Sequence, residues 1–402
     1  MKCFFYALCS LLTAAPAFGQ DAILLGSELE PVPVQLQALS PDSIEVIDAD
    51  GNKQVLQPEQ ALRLTLTGST IAAPSQNQVR VVLRDGQAVV GYWGGAGADD
   101  ESIFVGFGGT DQNIDLPLDE IMSITFRPGV PAPTTEEDDV LLLATGEKLV
   151  GFLEWIGAEA LEFIVGDADD PIQIPLERVH AVSIANKPKM AEASRGMVRV
   201  TTVDGSVILL RSAELERGVD GDALVGLWAM PIAGKPTDNQ DDAPRAASRL
   251  TLPIKQAAVI EPVSGKRRLV SLADQDGQVV AGGEVFGVAM TPRVETDGAL
   301  RLHAPVTLGY ALPERASRLV FSVAMDVDDT ISESRRAMAG CELIVYDGDR
   351  VLAKHALTPD GPAKRINVPL RSEELRIELA PGVNGPVLDR VLITRAEVLV
   401  SD

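Results

Sequence analysis

The chain is predicted to be all-β, a row of short strand units followed by a further strand-rich region. Three observations predict it. Apolar and polar residues alternate with period two through most of the chain, as in strands with one buried face. Asp-Gly and Thr-Gly pairs punctuate those runs, where glycine takes the positive φ of a tight hairpin without strain. One order of strands and turns returns several times between Asp21 and Pro262, while hardly any segment carries the apolar period of a helix.

Residues 1–19 read as a signal peptide. Lys2 supplies a positive charge, Cys3 to Thr13 is an apolar run too short to span a bilayer, and Ala15-Pro16-Ala17-Phe18-Gly19 offers small residues for cleavage. Cys3 and Cys9 leave with the leader, so Cys341 stands alone and is expected to be a small buried hydrophobe on a strand. No later stretch is apolar for long enough to cross a membrane as a helix. The mature protein is therefore expected to be exported, whether periplasmic, on the cell surface or extracellular, with no transmembrane segment.

Four units are expected next. Residues 20–75 form a degenerate copy. Residues 79–128 run from Val79 through Asp85-Gly86 to Ile124, and 139–186 repeat that order from Val140 through Thr145-Gly146 to Ile184. Residues 197–262 are a looser copy with an acidic loop insertion around Asp238. Pro117, Pro175 and Pro253 recur between apolar strand residues; lacking an amide donor, they belong at edges or bends. Trp93 and Trp155 follow the second strand of their units and are expected in the core. The proline-rich acidic stretch Pro128 to Asp139 and the polar stretch Asn186 to Gly196 read as linkers between partly independent units. About five short strands per unit resemble Sm-like or SH3-like small β-barrels in architecture, with closure or stacking hiding the strand edges.

Charge is uneven. There are 35 basic and 58 acidic residues, net −23. From Gly265 onward there are 17 basic and 20 acidic residues, so the acidity sits in the preceding units. Such a surface repels nucleic acid and anionic membranes.

Residues 263–402 carry the last signals. Cys341 to Ala353 alternate on both sides of Asp347-Gly348, a hairpin, and the apolar run through Val320, Val323 and Met325 breaks into Asp326, Asp328 and Asp329. Arg268 to Asp274, Leu300 to Ala304, Tyr310 to Leu312, Phe321 to Ala324, Val327 to Asp329, Val345 to Gly348 and Leu375 to Leu379 together resemble the NPCBM family of carbohydrate-binding modules, found beside family 98 glycoside hydrolases. Where that family ends in an Asp-His-Ala-Asp-Trp-like segment, this chain reads Asp389-Arg390-Val391-Leu392-Ile393. The resemblance implies a galactose-binding-like β-sandwich of the jelly-roll kind that binds glycan.

Enzymatic chemistry finds no support. His180, His303 and His355 lack metal-ligand spacing, no Gly-x-Ser-x-Gly elbow occurs, and no glycine-rich loop precedes a helix. Nothing pairs two carboxylates in a cleft, as glycoside hydrolysis requires. The candidate ligand-binding residues are His303, Tyr310, Tyr346 and Asp389. No motif demands a cofactor; Asp326, Asp328 and Asp329 offer the oxygen donors Ca²⁺ takes, and calcium is common in galactose-binding-like sandwiches, against which stands a solvated loop capping strand ends. The expected role is a secreted, non-catalytic binding protein whose partner is a glycan or cell-envelope polymer, with the acidic units as spacer. The alternative is an envelope scaffold binding a protein.

Overall fold

The computed structural model describes residues 19–401 except 98–100, 109–112, 131, 136, 167, 190–195, 219–220, 232–246, 264–266, 276, 296–297, 328–329 and 387. Cys3, Cys9 and all of the leader but Gly19 lie outside the described residues, as do most of the acidic insertion and both Asp328 and Asp329.

The expected all-β architecture is what the chain adopts, and a single short helix, Glu333–Arg336, occurs among the described residues. Unit one comprises β1 (Gln20–Gly26), β2 (Pro31–Leu39), β3 (Ile44–Asp48), β4 (Lys53–Leu56) and β5 (Ala61–Leu66). Unit two comprises β6 (Val79–Leu83), β7 (Ala88–Ala96), β8 (Ser102–Phe107), β9 (Asn113–Pro117) and β10 (Ile121–Thr125). Unit three comprises β11 (Asp139–Leu143), β12 (Lys148–Ile156), β13 (Ala160–Val165), β14 (Ile172–Pro175) and β15 (Val179–Ser183). Unit four comprises β16 (Met197–Thr202), β17 (Val207–Glu216), β18 (Ala223–Pro231), β19 (Ala247–Pro253) and β20 (Ala257–Val263).

Each unit has strand order 5-1-2-3-4, all antiparallel. The second strand carries a bulge in every unit, at Leu36/Ala38, Trp93/Gly95, Leu153/Trp155 and Arg211/Glu214. Bulges bend and twist a strand, which curls each sheet over its own core. Pro117, Pro175 and Pro253 close the fourth, edge strand and begin a 3-10 turn, where no ladder amide is needed.

The expected barrels are not closed. Among the described residues no ladder joins the fourth strand to the fifth. The fifth strand instead spends its outer edge on the fifth strand of another unit: β10 pairs with β15, with Ile124 opposite Val182, and β5 pairs with β20, with Leu64 opposite Ile260. Each pairing is locally two-fold, since the facing residues occupy equivalent positions. A bridge between Ala88 and Val207 joins units two and four. The units therefore share one 20-stranded sheet and one apolar core, in place of the partial independence expected of a string. Edge amides that barrel closure would have satisfied are satisfied between units.

The C-terminal region comprises β21 (Arg267–Ser271), β22 (Gln278–Gly282), β23 (Glu284–Val285), β24 (Val288–Ala289), β25 (Arg293–Val294), β26 (Leu300–His303), β27 (Val306–Ala311), β28 (Ala316–Met325), β29 (Cys341–Asp347), β30 (Arg350–Leu357), β31 (Lys364–Pro369), β32 (Glu374–Pro381) and β33 (Arg390–Ser401). Two sheets face each other as a sandwich: β25-β26-β33-β28-β31, with β21 also on β33, and β22-β27-β32-β29-β30. Their inner faces form a second core around Phe321, Leu343 and Ile393. Cys341 is buried there, as expected of it.

The sandwich is clamped to unit one. In units two to four the first hairpin turns on a glycine of positive φ, at Gly86, Gly146 and Gly205; unit one places Leu29 there, at φ 58°. Leu29 is fully buried and packs with Leu25 and Leu62 against Val320 and Leu399 of the sandwich. Asn367 donates to Glu28 O (3.1 Å), and Arg365 to Leu29 O. A leucine in the left-handed region costs roughly 1–2 kcal/mol, and burying its side chain returns roughly 1.5–3 kcal/mol. Leu29→Gly is therefore expected to lower stability by only about 1 kcal/mol, and Leu29→Ala by more, since alanine loses the side chain and keeps most of the strain. Urea unfolding of the two variants checks that order.

Candidate functional site

One end of the sandwich gathers four connections: the turn after β26 and those that join β28 to β29, β30 to β31 and β32 to β33. Asp389 fastens three of them. Its carboxylate accepts from Gly340 N (2.8 Å) and Gly382 N (3.3 Å), and its carbonyl accepts from Ala304 N (3.0 Å). The two glycine-bearing loops approach so closely that a Cβ on Gly382 would lie 2.0 Å from Gly340 O. Asp389 is fully buried, and burial pushes its carboxyl above the usual carboxylate range against the pull of the two amides and of nearby His303.

His303 ends β26 half-buried beside this clasp. Its Nδ1 donates to Ala304 O (2.7 Å), since a carbonyl can only accept, so in the neutral ring Nε2 is an acceptor. Arg301, one strand position pair earlier, lies 3.1 Å from Glu295 and 3.0 Å from Asp326. Asp326 is thus matched to a guanidinium. Asp328 and Asp329 are outside the described residues, no cluster of three or more His, Cys, Asp or Glu among the described residues is placed to hold a metal, and the Asp389 carboxylate is engaged by two loop amides.

The two tyrosines lie elsewhere. Tyr310 is 5% exposed in the core, Gly277 lies across its ring, and burial pushes its hydroxyl up to about 12. Tyr346 stands on the outer face of the five-stranded sheet, towards the opposite end. Its hydroxyl donates to Glu378 (2.9 Å) and the Arg376 guanidinium covers its ring at 5.0 Å from the centroid. The structure therefore brings His303 and Asp389 together and brings neither tyrosine to them.

A residue not singled out from sequence is the open aromatic of this end. β23 and β24 form a two-residue hairpin on Phe286 and Gly287, both of positive φ (51° and 78°), the geometry of a type I′ turn. Phe286 is 83% exposed, with Val280 and Val288 also exposed nearby in the chain. The stem is rooted on the turn that follows His303, since Gly283 N donates to Pro305 O (2.7 Å) and Met290 N to Gly283 O (2.7 Å). The signal available in the sequence was a Phe-Gly pair between Val285 and Val288, a hairpin dipeptide with an aromatic in the wrong conformation for comfort.

No protein-family model matches the chain, so the NPCBM resemblance rests on the residues quoted above. No curated protein matches either. Among solved structures the chain is similar to the CBM51-2 and INT domains of Clostridium perfringens ZmpB, at 12% identity and TM-score 0.26, over 47% of this chain and 44% of that one. It is similar to a CBM51 from Clostridium perfringens GH95 in complex with methyl-galactose, at 17% identity and TM-score 0.24, over 32% of this chain and 99% of that one. It is also similar to the tandem CBM51 modules of the family 98 glycoside hydrolase of Streptococcus pneumoniae SP3-BS71, at 12% identity and TM-score 0.24, over 65% and 88%. These neighbours are carbohydrate-binding modules; the values are too low to carry what they bind over to this chain. No helix among the described residues is long and apolar enough to cross a membrane.

Proposed function

We propose that the chain is an exported, non-catalytic glycan-binding protein whose residues 263–402 take a sugar at the loop-rich end of the sandwich. The observation that carries this reading is the solvent-open ring of Phe286, held in a strained left-handed conformation on a hairpin rooted beside His303. Sugars offer an apolar C–H face and a rim of hydroxyls; Phe286 supplies a stacking surface and His303 Nε2 an acceptor. Asp389 holds the loops and is a positioning residue. The acidic units form the base on which the sandwich is mounted.

The test uses the full chain on an array of immobilised glycans, with methyl-galactose as a soluble competitor, in the presence of Ca²⁺ and of chelator. Binding by the wild type is expected in both conditions, with Phe286→Ser weakening it about tenfold. Silence on every glycan would favour a scaffold that binds protein, a reading supported by the engagement of Tyr310 and Tyr346 and by the clamp on unit one.

A further inference from the structure

Units two and three are related by the local two-fold at β10 and β15, yet their second strands meet different fates. In unit two, Ala88 and Val90 are buried because unit four lies across them: Val90 N donates to Ser206 Oγ (2.8 Å), and Gln87 Oε1 accepts from Leu209 N (2.7 Å) and Trp228 Nε1 (2.8 Å). The same positions in unit three are Lys148 and Val150; the next outward residue, Phe152, matches Tyr92 of unit two, which is itself 57% exposed, so the contrast lies at the first two positions. Val150 is 49% and Phe152 61% exposed. Nothing among the described residues covers this face.

Beside it runs a groove of about 630 Å³ between β12 and the 3-10 turn Leu118–Glu120 of unit two, within the range of roughly 300–1,000 Å³ typical of ligand sites. Its two-fold counterpart carries larger side chains. There Trp93 meets Phe126 edge to face with centroids 5.1 Å apart; here Leu153 and Ile184 stand in those places and leave room. The groove is rigidly built. Buried Asp139 accepts from Ala185 N (2.7 Å) and Leu153 N (2.8 Å), and Asn186 donates to Leu118 O (3.0 Å) and Ile121 O (2.7 Å).

Three carboxylates, Asp119, Glu137 and Asp138, line the opening, and among the described residues none of them forms an ion pair. Two neighbouring cations are otherwise engaged: Arg84 donates to Lys187 O (2.7 Å) and Asp119 O (3.2 Å), and Lys189 lies 3.6 Å from Glu120. A second copy of the chain would bring the same carboxylates and another net charge of −23 to the contact, which opposes self-association. We propose that this groove docks an extended basic peptide segment, with an apolar side chain on Val150 and Phe152 and flanking lysines or arginines at Asp119, Glu137 and Asp138. Phe152 also offers its ring face to a cation. This inference stands apart from the glycan reading and uses none of its residues.

The test is fluorescence anisotropy of the full chain with a labelled peptide of alternating lysine and leucine, beside the same peptide with glutamate for lysine. Saturable binding of the basic peptide alone is expected, weakening as salt is added. Phe152→Ser, and separately Asp119→Asn with Glu137→Gln and Asp138→Asn, are each expected to weaken it about tenfold, while Phe286→Ser leaves it unchanged. All five positions are exposed, so the variants should melt as the wild type does. Failure of the wild type to bind, equal binding by both variants, or equal binding of the glutamate peptide would overturn the proposal. So would concentration-dependent self-association, seen by light scattering, that Phe152→Ser abolishes; that result would assign the face to a second copy.

Discussion

Arg63→Met is expected to destabilise the chain by about 3 kcal/mol and to separate the melting of the sandwich from that of the repeat units. Arg63 sits on β5, mostly buried, where unit one, unit four and the sandwich meet. Its guanidinium bonds Glu261 of β20 (2.5 Å) and Glu397 of β33 (2.6 Å). Burial works against its charge, but the two glutamates outweigh burial and hold it more firmly protonated than a free guanidinium. Without it, Glu397 is left in a site where burial already pushes its carboxyl up. A carboxyl whose folded pKa is raised stabilises the fold below its unfolded pKa and loses that contribution as pH rises through the folded value. The deficit of Arg63→Met should therefore be larger at neutral pH than near pH ~5. Adding Glu397→Gln should return most of the loss, because a neutral amide tolerates the site. Calorimetry of the single and double variants reads both effects; an unsplit transition with unchanged midpoint in Arg63→Met would mean that the clamp is apolar only.

The second large effect separates two buried carboxylates of one sandwich by the sign of their pH dependence. Asp389→Ala orphans the Gly340 and Gly382 amides and should cost about 2–4 kcal/mol. Asp347→Ala acts at the opposite end, where the carboxylate accepts from Ser372 N (2.7 Å), Arg371 N (3.1 Å) and Arg350 (2.7 Å), and should cost a similar ~2–4 kcal/mol. Burial works against the Asp347 charge, yet those donors hold its carboxyl below the usual range, whereas burial holds Asp389 above it. The stabilisation from Asp347 is present above its unfolded pKa and is lost as pH falls through the folded one, so the Asp347→Ala deficit should shrink in acid. The Asp389→Ala deficit should instead be largest in acid and narrow as pH rises. Urea midpoints measured for both variants from pH ~3 to pH ~7 check the crossing.

Much of the strand layout was legible because its causes are local. Alternation marks a strand, Asp85-Gly86 and Asp347-Gly348 mark hairpins, and Pro117, Pro175 and Pro253 mark edges, each from a few adjacent residues. Nothing local announces that β5 pairs with β20, or that Leu29 seats itself in a sheet formed hundreds of residues later. Alternation is equally blind to what will cover a given side chain. Tyr310 and Phe286 both lie beside apolar strand positions, at Leu308 and Val285, yet Gly277 and the facing sheet bury one while a hairpin tip exposes the other. Asp326 read as a free ligand because its partner, Arg301, lies on a neighbouring part of the fold and not of the chain.

The joining of the first unit to the fourth has a consequence for biogenesis. Arg63 and Glu261 are 198 residues apart, so a chain emerging amino end first carries the outer edge of β5 with its amides unmet until nearly two hundred further residues have been made. A bare edge kept waiting that long is an invitation to foreign strands. The abundance of negative charge on the early units then has a use before folding is finished, since like-charged nascent chains repel one another during the interval when their strands could wrongly zip together.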